Sequence, residues 1–180
     1  MARVYISYRV QDANVVRRII RRCLQSYGVY SVTLNPQETC PSDMTLTQHI
    51  DNLMFDVDMV LLVVGKDWAG LDEFGRFKLS SADSPVSEEV QVALRSKKHV
   101  VMVLVNGADL PSPDVVPDDL QAIYQLPVTQ LRPQTFWQDM NRLIPPPALS
   151  DWLLYYFSLT WLKNRIREED EPSAQKFIRR

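Results

Sequence analysis

Histidine and cysteine are scarce in this 180-residue sequence, with two of each: His49, His99, Cys23 and Cys40. So small a stock excludes a His-rich metal site and gives little support to a Ser-His-Asp triad. The two cysteines have no metal-ligand spacing and make no disulfide framework, which points to a reducing, cytoplasmic compartment. A basic excess is also missing: the net charge is −2, which argues against a general nucleic-acid binder. The start "MARVYISYRV" lacks the long apolar core of a signal peptide. The apolar stretch from Trp152 to Leu162 is too short to span a bilayer, which takes about 20 residues. No G-x-G-x-x-G or P-loop follows any strand-like run, so the usual backbone grips on dinucleotides and phosphates are excluded. A phospho-acceptor receiver would need paired acids after its first strand, where this chain has "SYRV". There is no internal repeat.

What the sequence does have is a globular composition, 46% hydrophobic and 23% charged, enough to bury a sizeable core. "VYIS" (Val4 to Ser7) reads as a first strand. Asp12 then opens an amphipathic helix that Gly28 ends. On it Val16, Ile19, Ile20, Cys23 and Leu24 recur at helical spacing, so Arg17, Arg18, Arg21 and Arg22 form its solvated face. Val29 to Leu34 is a second strand, Asn35 to Asp43 a polar loop, and Met44 to Phe55 a helix with Leu46, Ile50, Leu53 and Met54 inward. The unbroken apolar runs 58–65 and 99–105 suit parallel strands covered on both faces. Between them lie a long polar connection, Lys66 to Pro85, and a helix. A short helix to Tyr124 follows, then an edge strand, Leu126 to Leu131, carrying Pro127. Pro133 to Ile144 is a helix with Phe136, Trp137, Met140, Leu143 and Ile144 inward. Five alternations of strand and helix predict an α/β fold: a flavodoxin-like, doubly wound, five-stranded parallel sheet with helices on both faces. The run Pro145-Pro146-Pro147 divides domain 1–145 from a C-terminal helical extension, 146–180, of hydrophobic helix and charged tail.

Ligands of open α/β sheets bind beyond the carboxyl ends of the strands. That directs attention to Ser7, Tyr8 and Arg9, to Asn35–Asp43, to Gly65–Trp68 and to Asn106. Two adjacent acids, Glu88 and Glu89, stand where the helix after the long loop begins. Acids at a helix start complement its dipole, and at least one of the pair needs no further explanation. The long loop ahead of them is of the kind that shapes a site.

The ordered motifs resemble the TIR domains, particularly the bacterial type. "VYISYRVQD" is similar to the family's opening box, and "DMVLLVVGKDW" to its third strand, with a tryptophan three positions past the glycine. "GRFKLSSADSPVSEEVQVAL" resembles the stretch leading to the family's catalytic glutamate, and "VVMVLVNGADLPSPDVVPDDLQAI" its fourth strand and proline-rich exit. The resemblance covers roughly residues 3 to 145. It implies that Glu89 is the catalytic glutamate, since "EVQVAL" supplies the family's E-I-x-x-A-L register. It places Tyr8, Arg9 and Trp68 on the substrate side. Trp68 packed under its own loop, and Arg9 paired with Asp12, are the plain structural alternatives.

Such domains either cleave NAD+ at the nicotinamide–ribose bond, by hydrolysis or cyclisation, or act as self-associating scaffolds. The resemblance therefore implies an NAD+ glycohydrolase/cyclase with NAD+ as substrate, no cofactor and no metal. It also implies self-association through TIR domains and service in bacterial antiphage immunity; the alternative is a non-catalytic adaptor. The chain departs from the pattern twice. Pro85 stands where enzymatic members carry the tryptophan of W-x-x-x-E, leaving Phe77 or Trp68 to supply an aromatic wall. Asn35 and Pro41-Ser42 replace the acid and P-G of the loop after the second strand. The helix at 150–165, apolar on two sides, either packs on its own domain or offers a surface for burial between chains or against a partner protein.

Overall fold

The computed structural model describes residues 2–28, 31–34, 36–72, 74–80 and 84–145. The chain divides after Pro145. The expected extension, 146–180, with its hydrophobic helix, lies outside the described residues.

Five parallel strands form one sheet in the order β2-β1-β3-β4-β5. They are β1 (Val4–Ser7), β2 (Val32–Thr33), β3 (Met59–Val64), β4 (His99–Val105) and β5 (Val128–Leu131). The helices are α1 (Ala13–Tyr27), α2 (Pro36–Thr39), α3 (Leu46–Phe55), α4 (Pro85–Arg95) and α5 (Phe136–Leu143), with a 3-10 segment at Asp118–Gln125. The first crossover runs from β1 outward to β2; the later ones step back over β1 and onward. Right-handed crossovers in opposite directions place their helices on opposite faces. Accordingly α1 and α5 cover one face, with Val16, Ile19, Met140 and Ile144 packed on Val4, Ile6, Leu61, Val63 and Val103. On the other face lie α3, α4 and the 3-10 segment, with Ile50, Met54, Val90, Leu120 and Ile123 packed on Tyr5, Val60, Leu62, Val64 and Met102. Burial on both sides explains why β3 and β4 are almost continuously apolar.

Local signals account for most boundaries. Gly28 closes α1 at φ 95°, its N–H bonded to Leu24 O. Thr45 and Gln48 close a capping box on α3. Pro85 occupies the first position of α4, where a missing N–H costs nothing. At α5, Asp139 accepts from Thr135 Oγ1 and from the backbone and guanidinium of Arg132, tying the helix to the end of β5. Cys23 is buried on the apolar stripe of α1, and burial pushes its thiol up to about 12.

Three expectations need correction. The segment after β2 is not wholly loop: Pro36–Thr39 makes the short helix α2. A four-residue helix is one turn, too brief to leave a periodic signature in sequence. The last helix starts at Phe136 rather than Pro133, because 133–135 form turns. Trp137 does not face inward; it is 46% exposed. Its neighbour Phe136 takes the core position, in edge-to-face contact with the indole and beneath the guanidinium of Arg18.

Candidate active site

Along β1 successive side chains alternate across the sheet. Val4 and Ile6 enter the core under α1, which leaves Tyr5 and Ser7 for the face covered by α4. The first turns of α4 meet that end of β1. On α4 the inward stripe follows helical spacing, Val86, Glu89, Val90, Ala93, so a carboxylate stands at a core position. Glu89 is 5% exposed and its Oε2 has no hydrogen-bond partner. Burial pushes its acid up to about 7, against the opposing pull of the Ser7 and Tyr5 hydroxyls and the Arg9 guanidinium.

Arg9 follows β1 directly. Its Nε donates to the carbonyl of Trp68 at 2.6 Å, while Nη2 is buried without a partner. Burial lowers its affinity for the proton, and the charges of Asp67 and Glu89 raise it. Asp12 is turned elsewhere: its carboxylate accepts from Asn106 Nδ2 at 3.2 Å and lies over Gly65. A Cβ on that glycine would fall 2.1 Å from a carboxylate oxygen, so any larger residue there would displace the Asp12 carboxylate from this position.

Tyr8, Arg9, Val10 and Gln11 after β1, Pro36, Gln37 and Glu38 of α2, and Pro85, Val86 and Glu89 of α4 line a cleft of about 280 Å³. The structure thus brings Tyr8, Arg9 and Glu89 to one cleft. Trp68 is outside it: the indole is 1% exposed in the core under α3 and α4, and only its backbone carbonyl reaches the site, through Arg9. Glu88, one residue from Glu89, is rotated toward α3 and accepts from Thr47 Oγ1 at 2.9 Å. Phe77 is partly exposed on the long loop, bridged to Leu71. Sequence reasoning passed over Tyr5, a buried neighbour that acts on Glu89, and over the wall that α2 gives the cleft. Glu89 itself was singled out by the resemblance, through the register of "EVQVAL"; the structure adds that it is an acid inside an otherwise apolar helical stripe.

Chemically the arrangement offers one buried, partly desolvated carboxylate and, near enough to act on it, a guanidinium with one unpartnered nitrogen, both residues lining one cleft. Such a pair suits a ligand with a developing positive centre and anionic groups nearby. Among the described residues no group of three or more His, Cys, Asp or Glu is placed to hold a metal ion, and no helix is long and apolar enough to cross a membrane.

Residues 4–144 match the family model of the TIR domain. Among solved structures, the chain is similar to one titled a prokaryotic SEFIR domain, with TM-score 0.50 and 13% sequence identity. That match covers 79% of this chain and 96% of the other, and at such identity it speaks for the fold. No curated protein matches the sequence.

Proposed function

The chain belongs to the TIR domain family, and from that membership we propose that it is an NAD+ nucleosidase. It cleaves the nicotinamide–ribose bond, by hydrolysis, cyclisation or both, as an assembly-activated effector of bacterial antiphage immunity. The observation that carries the reading is Glu89: a buried carboxylate with an unpartnered oxygen, opening on a cleft that Tyr8 and Arg9 also line.

The reaction asks for one carboxylate in its charged form. Glycosidases normally need a second carboxyl group as general acid to protonate a leaving oxygen. Nicotinamide is a pyridinium in NAD+ and departs neutral, taking the bonding electron pair with no proton. The ribosyl cation left behind is stabilised by Glu89 across a desolvated gap, where charge interactions are strong. Arg9, with Nη2 unengaged, holds the phosphates. Trp68 contributes by fixing Arg9 through its carbonyl. Because Glu89 titrates near 7, the rate falls as pH drops through that value and the carboxylate becomes neutral.

The test is to incubate the concentrated protein with a crowding agent and follow NAD+ by chromatography beside Glu89→Gln. The wild type is expected to consume NAD+ and the variant to lose at least about 100-fold in rate, the scale of removing a principal electrostatic group. Intact NAD+ in the assembled wild type defeats the proposal. The product trace separates ADP-ribose from its cyclic form.

A second reading, the non-catalytic adaptor, is favoured by two specific features. Pro85 lines the cleft where an aromatic wall is expected, while Leu71 and Phe74 stand exposed on the long loop, Phe74 at 72%. Under that reading Glu89→Gln leaves partner binding unchanged.

A further inference from the structure

Tyr5 is wholly buried, its ring part of the core beneath α3 and α4, and its hydroxyl makes no well-formed hydrogen bond. Phenylalanine would fill that volume without burying an unpaired polar atom, which is costly in a core. Apart from burial itself, Glu89 is the group that acts on this hydroxyl. Tyr5 packs with Val86 and Val90 of α4, on either side of Glu89, so its hydroxyl and Glu89 Oε2 are two buried atoms on facing elements, close enough to act on each other but short of a well-formed hydrogen bond.

The geometry points to Tyr5 as a positioning residue for Glu89: its hydroxyl is the donor that bonds the carboxylate from the sheet side once that carboxylate is charged. The inference deepens the nucleosidase reading and rests on it for its catalytic meaning. Burial favours the neutral acid, whereas the reaction needs the anion; a donor reserved for the charged form shifts the balance. Burial and the neighbouring acid push the phenol far above its ordinary range, so Tyr5 stays protonated and acts as a donor only. Ser7, two residues on, offers a second hydroxyl on the same face, and Arg9 supplies the one opposite charge acting on Glu89. Of the other acids on α4, α3 and the 3-10 segment, three are engaged elsewhere. Asp51 of α3 pairs with Arg95, Asp119 of the 3-10 segment accepts from Gln91, and Glu88 accepts from Thr47.

The experiment is Tyr5→Phe in the full chain, read in two ways. Carbon-13 NMR of labelled glutamate carboxyls gives the Glu89 titration, assigned by its loss in Glu89→Gln. The pH profile of NAD+ cleavage gives the acidic limb. With the donor gone, the Glu89 midpoint is expected to rise by about one pH unit, the scale of one hydrogen bond to a charged acid. The acidic limb moves up with it, while the rate well above that limb changes less than about threefold. A residue that only fills the core would leave both midpoints where they are. An unmoved Glu89 titration in a cooperatively folding Tyr5→Phe overturns the inference. If the wild type leaves NAD+ intact, the nucleosidase reading fails by itself, and the NMR titration still decides whether Tyr5 governs Glu89.

Discussion

Glu89 shows what a single buried acid does to a small domain. Its ordinary value is 4.5 and the fold raises it to about 7. Between those values the folded protein holds a proton that the unfolded chain has released. Stability therefore falls as pH rises from about 4.5 to 7 and levels off above, the reverse of a salt-bridged carboxylate. Across that window the loss is about 3 kcal/mol in order of magnitude. Glu89→Gln removes the charge while keeping the shape, so it is expected to raise stability by about 2 kcal/mol at pH 8 and by much less at pH 5. Urea unfolding of both proteins at the two pH values checks the sign. A variant that loses catalysis and gains stability is the signature of a site maintained at the expense of the fold.

At the scale of elements, the strongest signals were those with many residues behind them. β4 keeps the bounds its apolar run predicts, His99–Val105, and α1 ends at the glycine that was expected to end it. The misses have physical causes. One turn of α2 carries no period, and the choice between Phe136 and Trp137 for the core depends on a rotation of about 100° that the helix start sets. The site was legible in part. Tyr8, Arg9 and Glu89 reach one cleft because the strand ends and the helix start are neighbours in this topology. The side-chain direction of Trp68 could not be read, since a residue past a strand end can turn to core or to cleft with the same sequence spacing. Caps offer a direct check on element-level reasoning. Thr45→Ala breaks the capping box of α3 and is expected to cost about 1 kcal/mol, measured as a shift in the urea midpoint at constant slope.

Over the whole molecule, both core layers and every residue of the candidate cleft lie before Pro146. The fragment 1–145 is therefore expected to fold alone, with one cooperative thermal transition and the far-ultraviolet spectrum of a mixed α/β protein. Loss of that transition on truncation would show that 146–180 completes the core. The five-strand sheet also ends in short strands on both sides: two residues in β2, and four in β5 following directly on Pro127. Long bare strand edges are templates for backbone pairing with other chains, and short ones give little to copy. With so little exposed ladder, any contact between this sheet and another chain falls to side chains on loops and helix ends, which can be specific and reversible in a way that an open hydrogen-bonding edge cannot.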